Sequence, residues 1–316
     1  MGKKLINSRW IGLSILIVVL FAVLIWYGSI PRTFIDIDIP ANYNGKQIAQ
    51  ILHNSDLISS KDLFFKMAIL TGNSKKLKAG KYSIPARAGI FRILNMISKG
   101  KTKKYKLVVP EGFTANQIAE TLLNDGIADK NDFLKIVREK NLEGYLFPQT
   151  YFFEYGVTAG EIVDTMLEQF EKMYTEDLKK KAKELKMSDR NIIILASIIE
   201  KEAVLEAERP RISAVFHNRL KQRHHLESCA TVLYALGKHK SQLLYKDLQV
   251  DSPYNTYIHY GLPPGPISNP GIKSIKAALN PSDTKELFFV VSSSGAHNFS
   301  TSFRQHVENK KKKPKH

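Results

Sequence analysis

Cysteine is all but missing from this chain: its 316 residues include only Cys229, which leaves no partner for an intrachain disulfide and no thiolate set for a zinc ribbon. Glycine-rich phosphate loops are missing too. Neither G-x-x-x-x-G-K-S/T nor G-x-G-x-x-G occurs, and G-x-S-x-G is absent; nucleotide binding and α/β-hydrolase chemistry therefore have no motif to rest on. His217, His224 and His225 have no second cluster at ligand spacing, so no metal and no cofactor is expected. The last shortage is of negative charge. Against 47 Lys+Arg stand 30 Asp+Glu, a net charge of +17, which suits an anionic partner such as nucleic acid, anionic lipid or an acidic polymer.

Long apolar runs are also scarce, with one exception. "WIGLSILIVVLFAVLIWYGSI", Trp10 to Ile30, is uncharged and close to the ~20 residues that cross a bilayer. Trp10, Trp26 and Tyr27 sit near its ends, where amphipathic rings favour the interface. Lys3, Lys4 and Arg9 precede it, whereas Arg32 is offset by Asp36 and Asp38. The expectation is an uncleaved anchor over residues 10–30, with 1–9 in the cytoplasm and the remainder outside; a cleaved signal peptide is the rival, but no A-x-A-like site follows. That topology excludes a nucleic-acid partner and leaves an acidic wall polymer or the membrane surface to explain the charge.

Past the anchor, the chain repeats. "IPANYNGKQIAQILHNSDLISSKDLF" from Ile39 aligns without gaps to "VPEGFTANQIAETLLNDGIADKNDFL" from Val109. Each copy reads as an extended segment, a turn, an amphipathic helix and a second helix starting at Ser60 or Asp129. "LKAGKYSIPA" and "YKLVVPEG" read as strands, so the modules are α+β. Residues 155–187 carry helical spacing, "ERPRISAVFHNRLKQRHHL" reads as a helix beginning near Pro210, "SIKAALNP" as a short helix, and "ELFFVVSSSGAHNF" as strand, turn and strand. The tail "KKKKPKH" reads as a solvated, disordered end.

"NIIILASIIEKEA", residues 191–203, is apolar almost all round yet ends on Glu200 and Glu202. With Ser188 as N-cap it forms a helix, and ~100° per residue sets Glu202 on the stripe of Leu195, Ile198 and Ile199. A carboxyl on that inner face is costly to ionise; kept protonated, it can protonate a leaving oxygen, the acid half of glycosidic cleavage. A plain ion pair with Arg209, Arg211 or Arg219 is the alternative reading of a glutamate here.

The motifs "LASIIEKEA", "RISAVFHNRL", "TVLYALG", "SPYNTYIHYGLPPGPISNPGIKSIKAALNP" and "LFFVVSSSGAHNFSTSFRQH", with "AGKYSIP", "VPEGFT" and "GYLFPQTY" upstream, resemble in order the YceG-like family, the endolytic murein transglycosylases. The resemblance implies an α+β fold: one transmembrane helix, a small LysM-like module over 31–105 and a larger mixed catalytic domain over 106–316. It implies that Glu202, the second glutamate of E-K-E, is catalytic. The implied reaction is lytic cleavage of the N-acetylmuramic acid–β-1,4–N-acetylglucosamine bond inside nascent strands. That gives 1,6-anhydro ends and terminates elongation at the inner membrane, beside peptidoglycan synthases. Tyr254, Asn255, Tyr257, His297, Asn298 and Ser300 would bind substrate. Two departures stand out: many members read Asp-Pro-Thr-Val where this chain has Cys229 to Val232, and an aspartate where it has Gln149. Glu200, Glu206 and Glu227 are then the candidates for any second acid. A non-catalytic wall-binding scaffold and a water-using muramidase are the competing functions.

Overall fold

The computed structural model describes residues 33–237, 240, 243–293 and 295–311; the anchor expected over 10–30 lies outside them. Among the described residues no helix is long and apolar enough to cross a membrane. The architecture is mixed α+β, with three two-stranded sheets among the described residues, and the chain divides into two compact units.

The first unit holds β1 (Phe34–Ile39), α1 (Gly45–Asn54), α2 (Lys61–Leu70), β2 (Gly80–Pro85) and α3 (Ile90–Ser98). β1 and β2 pair antiparallel, from Phe34 opposite Pro85 to Ile39 opposite Gly80. Its core is Ile37, Ile39, Ile48, Leu52, Phe64, Tyr82, Ile93 and Ile97 with their neighbours. Tyr82 is wholly buried, and its hydroxyl donates to the Lys78 carbonyl at 2.8 Å.

In the second unit, which begins at Tyr105 and leaves Glu154 to Gly156 with the first, the same order recurs: β3 (Lys104–Val108), α4 (Ala115–Asn124), α5 (Lys130–Glu139), β4 (Thr150–Glu154) and α6 (Ala159–Met173), with β3 paired to β4. α1 and α4 lie seventy residues apart and carry the same start, a capping box in which Asn44 with Gln47, or Thr114 with Gln117, satisfies the first backbone donors. Ser60 and Asp129 cap α2 and α5. Even the left-handed residues recur: Asn42 (φ 68°) matches Gly112 (φ 78°), and Asp56 (φ 55°) matches Gly126 (φ 63°). Glycine adopts that conformation freely, and Asn and Asp tolerate it better than other side chains. The repeat is therefore a whole β-α-α-β-α module, longer than the aligned sequence showed.

The rest of the second unit surrounds one helix. α7 (Glu176–Glu184) precedes α8 (Asp189–Glu202), followed by α9 (Arg209–Lys221), α10 (Cys229–Leu236), α11 (Ile272–Leu279), β5 (Phe288–Val291), β6 (His297–Ser300) and α12 (Phe303–Lys311). The helical stretch 155–187 is thus two helices, α6 and α7, broken at Tyr174 and restarted after Thr175. The helix α12 runs to Lys311, into the tail read from sequence as disordered. α8 is buried without interruption from Ile192 to Ile199, as an all-round apolar helix must be. Its one inner hydroxyl, Ser197, donates to the Ile194 carbonyl at 2.7 Å and accepts the Ile267 N–H at 3.0 Å. That bond fixes the Pro-rich loop across the helix.

Candidate active site

Ser188 caps α8, accepting the Asn191 N–H, and the helix ends at Glu202, with Ala203 already extended. Glu202 thus occupies the last turn of a buried helix. The residue keeps some access to solvent while protein atoms crowd its carboxyl. Ser228 donates its hydroxyl to Glu202 Oε1 at 2.5 Å, and the Ala230 N–H also donates to the carboxyl. Ser228 is the N-cap of α10, yet its side chain caps nothing. The glutamate supplies the acceptor that the helix start requires.

Those donors and the nearby His297 ring favour the carboxylate, but desolvation by burial outweighs them and raises the Glu202 pKa. Burial thus favours the protonated form of a carboxyl held at the end of an apolar helix, a group placed to give up a proton and then take one back.

Behind Ser228 stands the loop 254–257. Thr256 Oγ1 accepts the Ser228 N–H at 3.1 Å and lies 2.9 Å from Thr231 Oγ1, and its carbonyl accepts the Glu227 N–H. Asn255 is wholly buried. Its amide donates to the carbonyls of Leu248 and Val250, and its oxygen accepts the Tyr257 N–H. The side chain read as a sugar ligand therefore shapes the loop. Tyr257 does lie near the acid: its hydroxyl is 3.2 Å from Cys229 Sγ. Burial first, then Cys229 and the Glu202 and Glu227 carboxylates, push its pKa up. Tyr254 lies elsewhere, with its ring centroid 4.9 Å from Tyr234.

His297 is buried on β6, and Glu208 grips it twice, at the backbone N–H (2.9 Å) and at Nδ1 (2.7 Å). The strand period sets Asn298 and Ser300 on the face opposite His297; Asn298 faces Val290 in the ladder, and Ser300 Oγ is buried without a partner. Of the candidate second acids, Glu200 is ion-paired with Arg209 at 3.0 Å and accepts the Gly271 N–H. Glu206 lies beyond the end of α8, exposed and bound to Lys273, and Glu227 is held by Arg219. The pairing alternative raised from sequence thus describes Glu200, while Glu202 has no cationic Lys or Arg partner among the described residues. Sequence reasoning missed Ser228, Thr256 and Glu208, which meet the site only through long-range packing.

A second crowded carboxyl lies in this unit. Burial lifts the Glu143 pKa to about 7 against hydrogen bonds from Ala115, Asn269, Tyr234 and Gly144. A folded-state value above the ordinary 4.5 means that the native state holds the proton more tightly than the unfolded chain does. The associated stability is full below about pH 4.5 and is lost as pH rises through about 7, roughly 3 kcal/mol in all. Glu202 and Glu111, also raised by burial, act in the same direction. Urea denaturation at pH 5 and pH 8 should show the fall, and Glu143→Gln should remove its share. Parallel curves for the two proteins would contradict this assignment.

Comparison with known proteins follows the same outline. The YceG-like family model matches residues 37–312. The chain is 36% identical over 308 residues to the endolytic murein transglycosylase of Bacillus subtilis, covering 89% of this chain and 85% of that one. It is 28% identical over 304 residues to the endolytic murein transglycosylase of Streptococcus pneumoniae, covering 82% of this chain and 54% of that longer one. The crystal structure of a yceG-like protein from Listeria monocytogenes superposes with a TM-score of 0.61 at 34% identity, over 88% of this chain and 99% of that one.

Proposed function

The chain belongs to the YceG-like family, and from that premise we propose that it is a membrane-anchored endolytic peptidoglycan transglycosylase whose acid is Glu202. One observation carries the assignment of the residue: a carboxyl with its pKa raised by burial, at the end of an apolar helix, held by the Ser228 hydroxyl and the Ala230 N–H. The curated relatives' names support the reaction.

Glu202 protonates the oxygen leaving C1 of N-acetylmuramic acid. The resulting carboxylate then accepts the proton of that sugar's own 6-hydroxyl as O6 bonds to C1. The C1–O4 bond breaks, a C1–O6 bond forms, the proton passes through Glu202 and no water is consumed. An intramolecular acceptor brings a high effective molarity and makes one carboxyl sufficient where glycosidases ordinarily need two. This agrees with Glu200, Glu206 and Glu227 all being committed to basic partners.

Residues 10–30 would anchor the chain in the inner membrane with 1–9 in the cytoplasm. Residues 31–105 would form a LysM-like glycan-binding module, and 106–316 the catalytic domain, terminating nascent strands beside the synthases. Digestion of purified peptidoglycan by the full chain tests the reaction. Anhydro-muramic ends, lighter by one water than reducing ends, are expected by mass analysis. Reducing ends would make it a hydrolytic muramidase, and intact strands a wall-binding scaffold.

A further inference from the structure

After α9 ends at its C-cap Gln222, the chain turns through Arg223 to Glu227 on its way to Ser228. Arg223 (φ 56°) and Glu227 (φ 48°) both hold a left-handed backbone, where side chains other than glycine's are uncommon. Glycine is the usual residue directly after a C-cap. Arginine there accepts the strain and projects a long cation.

The turn borders a cavity of about 180 Å³, whose walls include Arg219, Arg223, His224, Tyr260 and Phe288. Arg219 is committed to the protein. Its Nε donates to the Leu287 carbonyl, and its Nη1 to the carbonyls of His225 and Leu226 and to Glu227 Oε2 at 3.0 Å. Glu227, which also lines the cavity, is held in that ion pair. Arg223 and His224 are exposed, with no side-chain partner among the described residues. Tyr260, 69% exposed, lies against His225 with 3.7 Å between ring centroids and the planes tilted by 30°, and His225 Nδ1 is buried without a hydrogen-bond partner. The cavity therefore offers an uncompensated guanidinium and an exposed aromatic face: a fork for a carboxylate beside a surface for planar amides.

Its position gives those groups a purpose. Glu227 directly precedes Ser228, the donor to Glu202, and Tyr257 lies close enough to feel both the Glu202 and the Glu227 carboxylates. On the reading of Glu202 as the acid of a peptidoglycan transglycosylase, we propose that this cavity receives the carboxylate-bearing peptide stem of the muramic acid at the cleaved bond. The enzyme then reads the stem as well as the glycan.

The test compares cleavage of strands that carry stems with strands stripped of them by an amidase, for the full chain and for Arg223→Ala and Arg223→Gly. The glycine variant relieves the left-handed backbone, so misfolding does not explain a loss. The ratio of kcat/KM on stem-bearing to stripped strands should fall about tenfold in both variants, the size of one lost hydrogen bond to a charged group, and through KM. A native ratio near one, or a ratio unmoved by either variant, would overturn the proposal. Cleavage of neither substrate by the native chain would sink the transglycosylase reading by itself. Calorimetric titration with free stem peptide still decides the cavity: tighter binding of the carboxylate form than of its C-terminal amide, lost in Arg223→Gly, supports it. Equal binding of the two forms, or inorganic phosphate competing as well as the peptide, overturns it.

Discussion

Glu202→Gln is expected to lower strand cleavage at least about a thousandfold while the protein stays folded. General acid–base assistance from a positioned side chain contributes typically 10² to 10⁴, and here one group serves both the departing oxygen and the attacking hydroxyl. An amide can do neither. Glutamine retains an oxygen to accept the Ser228 hydroxyl, so the bond that ties α10 to α8 is kept. It also removes a carboxyl whose ionisation burial disfavours, so at neutral pH the variant should melt at or above the native temperature. Rate assays on isolated strands, read beside thermal unfolding, check both halves. Cleavage within tenfold of native by a folded variant would move the acid elsewhere. A collapse in melting temperature would mean that Glu202 is a structural group.

What allows that prediction was largely readable from the residues. Ile192 to Ile199 are apolar but for Ser197, Ser188 caps the helix, and the helical period alone sets Glu202 on the inner stripe. The first two helices of each module follow from capping residues and apolar spacing. The remaining elements of the repeat were hidden because β2 and β4 keep alternate buried positions, and α3 and α6 a helical spacing of them, without keeping the residues. The left-handed pairs Asn42/Gly112 and Asp56/Gly126 were visible signals once the modules were aligned.

Partners chosen by tertiary packing left no local trace. Ser228 reaches Glu202 across the chain, Glu208 reaches His297, and a buried Asn255 resembles an exposed sugar ligand until its carbonyl partners are known. Tyr254, in the same motif, packs on Tyr234. A short motif identifies residues that belong to one place but does not say which of them face outward.

Asn269 shows how much such a hidden partner can carry, and its replacement by alanine should cost roughly 3–5 kcal/mol. The residue is wholly buried. Its Oδ1 accepts the N–H groups of Gly144 and Leu146, each at 2.9 Å. Its Nδ2 donates to the Phe113 carbonyl at 2.9 Å and to Glu143 Oε1 at 3.1 Å. Alanine would leave the buried Leu146 N–H unpaired, at about 1–3 kcal/mol, and would take one of two acceptors from the Gly144 N–H and one donor from the crowded Glu143 carboxyl, at about 1 kcal/mol each. That is a large share of the 5–15 kcal/mol that usually separates folded from unfolded chains. The damage should reach the acid as well. The Gly112 N–H is held by the Asn269 carbonyl, and Lys201, next to Glu202, donates to the Gly112 carbonyl. Asn269→Asp separates shape from charge. It keeps the acceptor for Gly144 and Leu146 but sets a second carboxylate against Glu143, so it should approach native stability near pH 5 and fall well below it at pH 8. Urea midpoints at the two pH values measure both variants. An alanine variant within 1 kcal/mol of native would show that water or rearranged backbone replaces the amide. An aspartate variant without pH dependence would show that Glu143 does not sense its neighbour's charge.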